Sequence, residues 1–91
     1  MLAEMVDHVI GVDPDRDRFT VALVDAKTSG VHAQASFSTT PAGYAAALEW
    51  ADAESVPEGR VWSIEGAGSY GAGLCTTLQS AGEWVLEFSR P

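Results

Sequence analysis

Cysteine is nearly absent from this chain. Cys75 stands alone among 91 residues, so no internal disulfide can form. Its place on an apolar helical stripe predicts a buried thiol in a reducing, cytoplasmic setting. Basic side chains are scarce as well: five Lys and Arg face thirteen Asp and Glu, for a formal charge of −8. That charge repels nucleic acid and anionic membranes over the domain as a whole. An enzyme acting on DNA would have to carry its basic surface outside these residues. No apolar run approaches the ~20 residues of a membrane span. The first residues also lack the basic-then-apolar order of a secretory signal.

What remains is a globular composition, 46% hydrophobic and 20% charged, long enough for one domain. A chain of this size buries roughly 60–65% of the surface its unfolded form exposes, which predicts modest stability.

Residues 1 to 7 show no pattern and read as a frayed lead-in. The run from His8 to Asp13 is apolar on both faces and predicts a central strand that ends in a carboxylate. Pro14 to Arg18 is a polar turn, and Phe19 to Val24 a second interior strand. Asp25 to Gly30 is a hairpin-type connection. Val31, Ala33, Ala35 and Phe37 then alternate strictly with polar residues, as in an edge strand with one wet face. His32 falls on that wet face and reads as solvated rather than as a ligand.

The period then changes. Thr40-Pro41 is a cap followed by a first-turn proline. Tyr44, Ala47, Leu48 and Ala51 form the stripe of a helix lying on a sheet. Ser55 to Gly59 ends it, and Arg60 to Glu65 is a fourth strand. Gly66 to Ser69 turns into a second helix with Tyr70, Leu74, Leu78 and Ala81 on one face. Gly82 takes the left-handed cap position, and Trp84 to Phe88 is a fifth strand. Short loops make the first three strands an antiparallel meander, and helical crossovers make the fourth and fifth parallel to the first. The predicted architecture is α/β: a mixed five-stranded sheet of order 3-2-1-4-5 with two helices, the ribonuclease H-like core without the elements that normally follow.

In that arrangement Asp13 and Glu65 end strands at the same edge of the sheet. Two carboxylates a few ångströms apart must share a proton or bind a cation. Their hard oxygens suit Mg²⁺ or Mn²⁺, and a pair of such ions can clamp the attacking and leaving oxygens of a phosphodiester. The alternative is two solvated residues at loop starts. Asp13, Asp15 and Asp17 imitate the opening of a calcium-binding EF-hand loop, but Arg18 and Val24 stand where that loop needs glycine and glutamate. The glycine-dense stretch Gly66 to Gly73 could present N–H groups to a phosphate, or could simply let backbone pack closely. It lacks the lysine of a P-loop. Ser69 has no histidine argued near it and reads as no nucleophile. Trp50, Trp62 and Trp84 read as packing residues rather than base-stacking platforms.

Val9-Ile10-Gly11-Val12-Asp13, the Asp15-Arg16-Asp17 that follows, Thr40-Pro41-Ala42-Gly43-Tyr44 and above all Val61-Trp62-Ser63-Ile64-Glu65-Gly66-Ala67-Gly68-Ser69-Tyr70-Gly71 carry a resemblance. They resemble the N-terminal domain of the DEDD transposases of the insertion-sequence-110 family, relatives of the pilin-gene invertases. The likeness runs from about Val9 to Pro91. It implies a RuvC-like, ribonuclease H-type fold that binds divalent metal through Asp, Glu, Asp, Asp and recombines DNA with a structured, element-encoded RNA. Asp13 matches the first acidic position and Glu65 the second. The third and fourth belong to a later helix, and the family's serine-bearing C-terminal domain lies further on. The resemblance thus implies the first part of a transposase catalytic domain, inactive alone and holding at most half a metal site.

Two other readings fit the same strand order. One is an actin-like or sugar-kinase-type nucleotide-binding half-domain, although Pro14-Asp15-Arg16 follows Asp13 where that superfamily has glycine-rich phosphate turns. The other is a catalytically inactive interaction module. Apolar sheet surface left uncovered near the fifth strand predicts self-association.

Overall fold

Three strands come first: β1 (His8–Pro14), β2 (Arg18–Asp25) and β3 (Val31–Ser38). Helix α1 (Pro41–Glu54) and a short 3-10 turn (Pro57–Gly59) lead to β4 (Arg60–Glu65). Helix α2 (Ala72–Ser80) then leads to β5 (Val85–Phe88). This is a computed structural model, and it describes residues 6–66 and 68–88. The sheet has the order β3-β2-β1-β4-β5. The hairpin connections make β1–β2 and β2–β3 antiparallel, and the helical crossovers make β1–β4 and β4–β5 parallel. The predicted α/β architecture and strand order are both present.

Both crossovers travel across the sheet in the same direction. Crossovers of one hand then put both helices on one face. A single core results: Ile10, Val12, Phe19, Val21, Leu23, Trp62 and Ile64 from the sheet meet Tyr44, Ala47 and Ala51 of α1 and Leu74, Cys75 and Leu78 of α2. No helix among the described residues covers the opposite face. None of the described helices is long and apolar enough to cross a membrane.

The helix starts follow local chemistry. Thr40 accepts a hydrogen bond from the Gly43 N–H at 3.2 Å, with Pro41 in the first turn. Gly43 has no room for a side chain, because a Cβ there would run into the carbonyl oxygen of Ser38. Gly73 has a similar reason: a Cβ would stand 2.6 Å from the Tyr44 hydroxyl, so the glycine lets α2 seat against α1. Gly82, at φ +79°, ends α2 in the left-handed region, as expected.

Four expectations need correction. Val6 is buried, and Asp7 donates to the Gly59 carbonyl at 2.8 Å, so the lead-in is tied down from residue 6. Residues 1–5 lie outside the described residues. Helix α2 starts only at Ala72, because the glycines before it disfavour helix. Tyr70 is therefore in a turn and half exposed, and Ala81 is exposed after the helix; Leu74, Leu78 and, as expected, Cys75 are buried. Trp84 precedes β5 rather than lying in it and is 50% exposed, while Trp62 is fully buried and Trp50 packs against the core.

The sequence reading also passed over Arg60. Its guanidinium is fully buried and donates to both oxygens of Glu83 and to Asp52, each at 2.9 Å. The Trp62 indole donates to the same Glu83 at 2.7 Å.

Candidate functional site

Val12 of β1 and Ile64 of β4 are register partners on neighbouring parallel strands, and both are buried beneath the helices. The pleat turns the next residue of each strand to the other face. Asp13 and Glu65 therefore emerge together on the helix-free side, at the carboxyl ends of two central strands. Neighbouring strands lie ~4.8 Å apart. Open α/β sheets place their ligands at this end. Both carboxylates line one open cavity of about 720 Å³, Asp13 exposed and Glu65 half-buried.

Small residues line the floor of this open cavity. Gly11, Ala22 and Ser63 form its centre, and Thr20, Gln34 and Ser36 give it hydroxyl and amide groups. A Cβ placed on Gly11 meets nothing within 4 Å, so this glycine leaves open space rather than relieving a clash. Gly66, at φ +71°, turns the chain sharply just after Glu65 in a conformation that costs glycine little.

Two carboxylates at adjacent strand ends repel, and a cation between them relieves the repulsion. Mg²⁺ is usually held by one or two carboxylates together with waters and substrate phosphates. Asp13 and Glu65 fit that partial donor set. No group of three or more His, Cys, Asp or Glu among the described residues could hold a metal by itself.

The other residues singled out in the sequence lie as follows. Asp15 and Asp17 belong to the β1–β2 turn, flanked by strands, which agrees with rejecting an EF-hand. Asp25 forms the β2–β3 turn by accepting the backbone N–H groups of Lys27 and Thr28 at 2.8 and 2.9 Å. The bond from Thr28, then that from Lys27, holds its carboxyl below the ordinary carboxylate pKa. His32 is exposed, 3.8 Å from Asp25, and stacks edge-on against His8. His8 pairs with Arg60 at the opposite end of β1 from Asp13, so neither histidine serves Ser69. Cys75 is buried and donates to Glu87 at 2.7 Å, a core thiol as expected.

A second cavity of about 490 Å³ is formed by the β1–β2 turn and Tyr70. The sequence reading missed it. The available signal was Arg16-Asp17-Arg18, two of only five basic residues set in one turn beside the Asp13 strand.

Neither a protein-family model nor a curated protein matches this chain.

Proposed function

We propose that this domain is the N-terminal part of the catalytic core of a DNA transposase, with a ribonuclease H-like (RuvC-like) fold and with Asp13 and Glu65 as two of its metal-ligating carboxylates. One observation carries the reading: the carboxylates that end the neighbouring parallel strands β1 and β4 line a single cleft. The strand order is that of the ribonuclease H-like core. The Glu65-to-Gly71 segment adds the resemblance to the insertion-sequence-110 transposases.

Bound Mg²⁺ or Mn²⁺ would supply Lewis-acid stabilisation of the oxygens exchanged at a phosphodiester. This chain's own contribution is to fix two oxygen ligands on rigid, adjacent strand ends and to leave the floor between them open at Gly11. The remaining acidic ligands and the serine-bearing domain come from outside these residues, as does the principal binding surface for DNA and a structured RNA. A nucleotide-kinase-like reading is weaker, because Pro14-Asp15-Arg16 follows Asp13 where that superfamily has a glycine-rich turn whose backbone N–H groups cradle phosphate.

The test is Mn²⁺ titration of isotope-labelled protein. Amide broadening confined to the surroundings of Asp13 and Glu65, and lost in Asp13→Ala, is the expected result. Broadening that is uniform, or unchanged by the substitution, overturns the metal assignment.

A further inference from the structure

We propose that Arg16, Arg18 and Tyr70 form a strand-holding subsite that takes one nucleotide of single-stranded DNA next to the Asp13–Glu65 cleft. The proposal rests on the transposase reading and deepens it by naming what holds the substrate beside the carboxylates.

Positive charge is unevenly spread in this acidic domain. Of the five basic residues, Arg60 is buried, Lys27 lies in the β2–β3 turn at the far end of the sheet, and Arg90 lies outside the described residues. The other two, Arg16 and Arg18, line the same cavity. Tyr70 lines it too and is 51% exposed, a large ring kept half in water on the turn that follows Glu65. Guanidinium forks match phosphate oxygens, and an exposed aromatic ring stacks on a base of any sequence.

The subsite adjoins the carboxylate cleft. Arg18 donates from Nε to Ser36 Oγ at 3.2 Å and from Nη2 to the Ser36 carbonyl at 3.0 Å. Ser36 itself lines the cleft that holds Asp13 and Glu65. One residue pair thus forms the boundary between the two cavities, and a strand that crosses it brings its next phosphodiester to the carboxylates. The turn is also held in place: Thr39 donates to the carbonyls of Asp15 and Asp17, each at 2.9 Å.

The acidic residues of the turn have a definite part. Asp15 accepts the Arg16 N–H at 2.7 Å and shapes the turn. Asp17 pairs with Arg16 at 3.1 Å with both side chains about three-quarters exposed, at 74% and 77%. Exposed pairs of this kind are weak and exchange readily. A phosphate therefore replaces Asp17 on Arg16, and Asp17 acts as a built-in competitor that keeps the empty site neutral.

The test is titration of the isotope-labelled protein with a short oligothymidylate, with an oligouridylate of equal length, and separately with Mn²⁺. Oligothymidylate should shift the amides of Arg16, Arg18 and Tyr70. Tyr70→Ala should weaken binding about 5- to 150-fold, the range for loss of one stacked base, whereas Tyr70→Phe retains it. Asp17→Asn should tighten binding, a sign that a merely structural role for the turn does not produce. Absent or scattered shifts, or a Tyr70→Ala protein that binds as well as the parent, overturn the subsite. Binding of oligouridylate alone overturns the assignment to DNA. Mn²⁺ broadening near Asp13 without an oligonucleotide response defeats this proposal and spares the metal reading; the reverse pattern defeats the metal reading and spares this one.

Discussion

The Arg60 guanidinium grips both carboxylate oxygens of Glu83, Nε to Oε1 and Nη2 to Oε2, at 2.9 Å each. Arg60 is fully buried and Glu83 is 6% exposed, so the pair ties the start of β4 to the segment entering β5 away from water. Burial pulls the guanidinium pKa down, but the hydrogen bonds it donates to Glu83 and then to Asp52 outweigh this and hold the group above its ordinary value.

Truncating Glu83 should therefore be costly. Glu83→Ala leaves a buried guanidinium with only the exposed Asp52 and Ser55, and strips the Trp62 indole of its acceptor. Losing one partner of a buried pair costs about 3–5 kcal/mol, against a total stability of roughly 5–15 kcal/mol for a domain. Urea unfolding measures it. A loss below about 1 kcal/mol would put the pair in the class of exposed ion pairs.

Asp13 should behave in the opposite way. Asp13→Asn removes one of two like charges at adjacent strand ends, so without metal the variant should be at least as stable as the parent. Added Mg²⁺ should raise the melting temperature of the parent, because a ligand at 100 times its Kd stabilises by about 2.7 kcal/mol. The variant should show no such rise. Equal rises in both proteins would locate Mg²⁺ binding elsewhere.

Cys75 gives a pH dependence with a defined sign. Burial, and then the Glu87 carboxylate at 2.7 Å, push its thiol from 9.0 up to about 11. A pKa raised by folding means a contribution fully present below pH 9 and lost as the pH climbs from 9 towards 11. The urea midpoint of the parent should fall faster across that window than that of Cys75→Ala. Parallel slopes would remove Cys75 as the cause.

Exposed apolar residues predict self-association. Leu86, the register partner of Ser63 on the helix-free face, is 46% exposed, and Trp84 beside it is 50% exposed. Sedimentation at rising concentration should reveal species larger than the monomer, and Leu86→Lys should reduce them. A parent protein that remains monomeric throughout would contradict the prediction.

Much of the fold was legible because its signals are local. Strict alternation marks β3, Thr40-Pro41 marks the start of α1, and Gly82 marks the end of α2. The misplacements of Tyr70 and Trp84 share a cause. Tyr70 and Trp84 extended regular patterns by a few residues past positions where backbone geometry had already changed. Periodicity reports which residues would share a face and is silent on where the element stops.

The sequence by itself determined the succession of elements, the sense in which the strands run and the position of two carboxylates near strand ends, since spacing and connection length carry all three. Tertiary structure decided what covers each face. Only the stacking of both helices on one side turns Asp13 and Glu65 into the walls of an open cleft. Only packing brings Glu83 back to Arg60 across 23 residues of chain, and Arg18 to Ser36 across 18. Those contacts leave no local pattern, because each depends on the whole sheet having already formed.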